Sequence, residues 1–122
     1  MKNTNSKCYL LHIRFNEYNF SSQRATDLGK TIQEMLKHIS SGNYETAYLT
    51  RDGSSVGFFV KTRLPAGAIR SILDGTQWEG DRTAVLESGD KFLVLELGPD
   101  FSGMGFSKAW TWLQHNQKSS TS

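Results

Sequence analysis

Cysteine is almost missing from this chain: Cys8 is the single one in 122 residues, which excludes an internal disulfide and a multi-cysteine zinc site. A reducing compartment is the simpler setting, so a cytoplasmic protein is expected, with Cys8 as a small core residue. Charge of one sign is also scarce. The formal net charge of +2 is too small to mark the whole chain as a nucleic-acid binder, and any basic site must be local. Long apolar runs are absent as well. Nothing resembles the apolar run of about 7 to 15 residues in a signal peptide, or the roughly 18 residues of a membrane span. Hydrophobic residues make up 37% and charged residues 21%, against averages of roughly 45–50% and 25%. The ends account for the deficit: "MKNTNSK" and "QKSSTS" carry no apolar residue beyond Met1 and read as frayed tails, 1–7 and 117–122. Between them, 8–116 has the length of one domain, with no repeat, linker or low-complexity stretch.

Within that domain the hydrophobic period switches repeatedly. "CYLLHIRF" (8–15) reads as a strand, and "SSQRATDLGKTIQEMLKHIS" (21–40) as a helix with Leu28, Ile32, Met35, Leu36 and Ile39 on one face. "YETAYLT" (44–50) and "VGFFVKTRL" (56–64) are rich in β-branched and aromatic residues. Asp52-Gly53 between them suits a tight turn, so the two should pair antiparallel. "PAGAIRSILDG" then predicts a short helix opening at Pro65 and stopping at Gly75. "TAVLES" (83–88) and "KFLVLEL" (91–97) predict another strand pair, and "FSKAWTWLQHN" (106–116) a last helix capped by Ser107 with Phe106, Trp110 and Leu113 on one face. The order gives an α+β fold, a ferredoxin-like split βαβ (βαββαβ) with an extra C-terminal strand and helix. Its first and third strands should be central neighbours, with two helices on one sheet face and the other face open.

Alternation predicts what that open face carries. Along the first strand Leu10, His12 and Arg14 point away from the helices, and along the third Phe59, Lys61 and Arg63 do the same. Three cations and a ring on adjacent strands match the needs of single-stranded nucleic acid, whose phosphates take cations and whose bases take flat partners. A subunit contact centred on Leu10 and Phe59, or a solvated sheet, would use the same residues. The paired aromatics of an RNA-recognition motif are not there.

Other chemistry is thinly represented. His12, His38 and His115 lack the spacing of metal ligands, and His38 suits the negative end of a helix. Gly98 and Gly103 open a Walker-type spacing, but Met104 stands where the lysine is needed. Asp74, Glu79, Asp81, Glu87 and Asp90 form an acidic stretch without a coordination pattern, and no serine sits in a nucleophile elbow. No metal and no cofactor is expected.

The stretch "VGFFVKTRLPAGAIRSILDG" with "DKFLVLELGPDFSGMGFSKAWTWLQHN" resembles the SinR-like group of small CRISPR-associated-nuclease-like proteins. The likeness is clearest from Val56 onward, in a strand ending "VKTRL", an immediate helix, the strand "FLVLEL", an aromatic-glycine loop and a "WLQHN" helix. That resemblance implies a homodimer in which open sheet faces meet and a last strand crosses to the partner. It would put Leu10, Phe59, Phe92, Val94, Phe101 and Trp110 at a dimer interface, with Gly98, Gly103 and Gly105 turning the chain off the last strand. Active nucleases of the family gather a divalent metal with an aspartate at the end of the first strand. Here that position holds Arg14, or Asn16 if the alignment slips, and an arginine cannot ligate magnesium. The expectation is therefore a non-catalytic, dimeric binding protein that takes RNA, DNA or a bacterial defence-related protein through His12, Arg14, Phe59, Lys61 and Arg63. A metal-dependent endoribonuclease of toxin–antitoxin type and a purely structural interaction module are the alternatives.

Overall fold

The computed structural model describes residues 6–16, 21–80, 86–87, 89–98 and 107–119. Its elements are β1 (Lys7–Arg14), α1 (Ser22–Ser40), β2 (Tyr44–Leu49), β3 (Ser55–Thr62), α2 (Ala66–Leu73), β4 (Lys91–Glu96) and α3 (Ser107–Ser119). They form an α+β fold with one four-stranded antiparallel sheet in the order β2-β3-β1-β4. The first and third strands are indeed central neighbours. The strand expected over 83–88 falls mostly outside the described residues, and Leu86 and Glu87 are not in a strand. Phe101, Gly103, Gly105 and Phe106 also lie outside them.

Local chemistry sets the boundaries. The Ser21 hydroxyl accepts the Arg24 N–H and caps α1, while basic Lys37 and His38 sit in its last turn, where the helix dipole favours them. Pro65 stands just ahead of α2 as its N-cap, one position earlier than expected, because its backbone is extended and its carbonyl accepts from Ala68 and Ile69. In the β2–β3 hairpin Gly53 has φ +78°, a conformation glycine adopts freely. The Asp52 carboxylate beside it accepts from the Ser54 N–H and from the Ser54 and Thr50 hydroxyls.

The pleat sorts the strands as alternation predicts. Tyr9, Leu11 and Ile13 of β1 and Val56, Phe58 and Val60 of β3 face α1 and α2 and bury against Leu28, Ile32, Met35, Leu36, Ile69 and Leu73. Each such side chain contributes roughly 1.5–3 kcal/mol by leaving water. A polar clasp closes this layer. Arg24 of α1 grips the Asp90 carboxylate through both guanidinium nitrogens, at 3.1 and 2.6 Å, and the same carboxylate accepts the backbone N–H groups of Asn16 and Glu87.

The second sheet face departs from expectation. It is partly covered by α3, whose Ala109 and Leu113 are buried and which packs on β2, β3 and β1. The helix also runs to Ser119, past the boundary read at 116.

Candidate functional site

The face opposite α1 and α2 is best followed in rows across the sheet. One row sets Lys91 beside Arg14 and Arg14 beside Ser55; the next runs Leu93, His12, Gly57, Tyr48; the third runs Leu95, Leu10, Phe59, Glu45. Each row mixes residues from distant parts of the chain.

In the third row α3 has taken the ring. Phe59 stacks on Trp112, with centroids 5.9 Å apart and planes 14° from parallel. Trp112 donates its indole N–H to Asn43 Oδ1 at 3.1 Å, Asn43 donates to Asn116 Oδ1, and Lys61 donates its ammonium to the Asn116 carbonyl at 3.1 Å. Lys108 and Glu45 add an ion pair at 3.8 Å. Two of the residues assigned to a binding face, Phe59 and Lys61, thus serve as the seat of α3. Cys8 lies beyond them on the same face, fully buried, and burial pushes its thiol pKa up despite the nearby Lys61 charge.

The middle row holds a polar contact that joins β2 to β1 across β3. The Tyr48 hydroxyl hydrogen-bonds His12 Nδ1, and the two rings lie 5.7 Å apart at 32°. Tyr48 can reach His12 only by lying across β3, and the strand residue beneath it is Gly57: any Cβ there would run into the Tyr48 ring. Tyr48 reaches this face because of a register shift between Thr46 and Tyr48. Thr46 is paired with Phe58 and belongs to the helix-covered side; simple alternation would have left Tyr48 there too. That irregularity is why sequence reasoning missed it. The signal that could have pointed to it is Gly57, a glycine inside an otherwise bulky strand.

The first row is cationic. Arg14 and Lys91 are exposed, sit directly opposite one another, and neither makes an ion pair or a side-chain hydrogen bond among the described residues. Like charges so placed repel, and an anion between them relieves the repulsion. Leu93 and Leu95 supply the apolar part on the β4 side, 57% and 48% exposed, with half-buried Leu10 between β4 and Phe59.

The remaining assigned residues are dispersed. Arg63 is exposed just past the end of β3. Phe92 and Val94 lie on the helix-covered side, packed against the core, so the apolar residues of β4 that share a face with Leu10 are Leu93 and Leu95. Trp110 is half-buried on α3, while Trp112 is the indole that meets the sheet. His38 sits edge-on to Trp78 at 5.8 Å, and His115 is exposed. Among the described residues no group of three or more His, Cys, Asp or Glu side chains is placed to hold a metal ion. Asp90, from the acidic stretch, is committed to Arg24. No described helix is long and apolar enough to cross a membrane.

The fold and this face define a small α+β protein with a ring pair and a cation pair on a partly covered sheet. No protein-family model, no curated protein and no solved structure matches the chain.

Proposed function

We propose that the protein is a non-catalytic, ferredoxin-like binding protein that takes single-stranded nucleic acid on the sheet face between α3 and β4. The observation that carries this reading is Tyr48 laid across Gly57 and tied to His12, one pleat from Arg14 and Lys91, neither of which has an ion pair among the described residues. A ring held against the backbone presents its outer face as a stacking surface, and bases stack on such rings while cations take the phosphates. The strand order β2-β3-β1-β4, with the element order βαββαβ followed by α3, supports the ferredoxin-like part of this reading. Fluorescence anisotropy with a labelled single-stranded oligonucleotide of about ten bases tests it. With Arg14 and Lys91 on two phosphates, log affinity should fall with log salt at a slope of about −1.4, and Arg14→Ala should reduce that slope by about 0.7. Tyr48→Ala should weaken binding more than Tyr48→Phe, which keeps the ring. Absence of binding at low salt sinks the reading.

A second reading rests on a different observation, the exposure of Leu93 and Leu95 side by side on β4. It holds that a second copy of the chain docks on this strip, giving a homodimer whose ring and cation pairs flank the contact.

A further inference from the structure

A concave feature lies on the other side of the sheet, between α1 and the β2–β3 hairpin. Val56 and Phe58 line it from the sheet, Gly29 and Lys30 from α1, and Leu49 and Arg51 from the hairpin. Its volume of about 460 Å³ falls among those of small-molecule sites, roughly 300–1,000 Å³.

Three features of the cleft are unexplained by folding. Gly29 stands inside α1 without a positive φ, and a Cβ built on it meets nothing within 4 Å. Alanine would make a more stable helix, so neither conformation nor packing asks for glycine there; its effect is to keep one wall of the cleft low. Leu49 leaves 65% of its surface in water at the opposite wall. Lys30 and Arg51 have no ion pair or side-chain hydrogen bond among the described residues, and Asp52, the one carboxylate among the described residues that line the cleft, is turned to Ser54 and Thr50. An apolar floor between two cations with no ion pair among the described residues is complementary to a flat apolar molecule carrying negative charge.

We propose that this cleft binds a small aromatic anion, its ring system against Phe58 and Val56 and its carboxylate, sulfonate or phosphate between Lys30 and Arg51. The site is independent of the sheet-face reading. The probe is the dye anilinonaphthalenesulfonate, which has both parts and reports by fluorescence. The folded protein should show saturable, single-site enhancement. Gly29→Leu should abolish it by filling the cleft, with circular dichroism unchanged and the melting temperature equal or higher. Lys30→Ala and Arg51→Ala should each weaken it about tenfold. Displacement of the dye by naphthoate or by adenosine monophosphate supports the proposal and separates carboxylate from phosphate ligands. No saturable enhancement, enhancement that survives Gly29→Leu, or enhancement lost only on Leu93→Lys overturns it.

Discussion

Asp90 has no exposed side-chain surface, and still it carries charge. Burial alone would raise its pKa; the Arg24 hydrogen bonds, the Glu87 and Asn16 N–H groups and the Arg24 charge outweigh burial and hold it below the usual carboxylate value. Folding therefore makes Asp90 harder to protonate than in the unfolded chain. The stability it contributes is complete above the ordinary value of about 3.9 and is lost as pH falls through the lower folded value. Asp90→Asn should lower stability by about 2–4 kcal/mol at neutral pH, and its urea-unfolding free energy should fall less steeply than the parent's as the solution is acidified below about pH 4. An equal slope for both proteins would show that Asp90 is not the titrating group. Gly57 makes the opposite kind of prediction. The atoms in the way of a new Cβ belong to the Tyr48 ring, the far end of a side chain that can swing aside. Gly57→Ala should thus change stability by less than about 1 kcal/mol while breaking the Tyr48–His12 contact, visible as a shift of the His12 ring signals by NMR. At this scale the sequence was only partly readable: His12 and Arg14 could be placed on the open face by counting, but Tyr48 could not, because one extra residue in β2 reverses the count.

Among the elements, α3 alters the functional picture most. Alternation correctly separated the two faces of β1 and β3, since a period of two along a short strand leaves little choice once one face is buried. The destination of α3 was less legible, because Trp110 and Trp112 both offer an indole and only tertiary packing decides which meets the sheet. The structure selects Trp112, with Phe59, Asn43 and Lys61 as its seat. The helix covers the end of the face on which Cys8 is buried, so its docking can be read through the thiol. Leu113 is among the buried residues of α3. Leu113→Asp, which puts a charge under the helix, should leave the α1–α2 core folded and raise the rate of Cys8 modification by a thiol reagent at least about tenfold. An unchanged rate in a folded variant would mean that β1 and β3 bury Cys8 without help from α3.

For the whole molecule, the sheet divides laterally. On the β2 and β3 side α3 consumes the apolar surface, while on the β4 side Leu93 and Leu95 remain in water next to Leu10 and His12. Scattered exposed leucines are ordinary, but two on successive pleats of one strand, continuous with a half-buried third across the ladder, make a strip suited to a self-complementary contact. A two-fold axis along that strip would bury both pairs of leucines and keep Arg14 and Lys91 of each copy at the ends, where their repulsion is screened by solvent. Light scattering on the eluting protein should then give twice the chain mass of 13.7 kDa. Leu93→Lys with Leu95→Lys should return the single-chain mass without loss of the melting transition, since neither side chain contributes to the core. The oligonucleotide measurement on the same variant separates the two proposed readings of the face. Binding retained by the monomer would locate nucleic-acid contact on Tyr48, His12, Arg14 and Lys91 alone, whereas binding lost together with the dimer would mean that the strand is held across the two-fold axis by both copies.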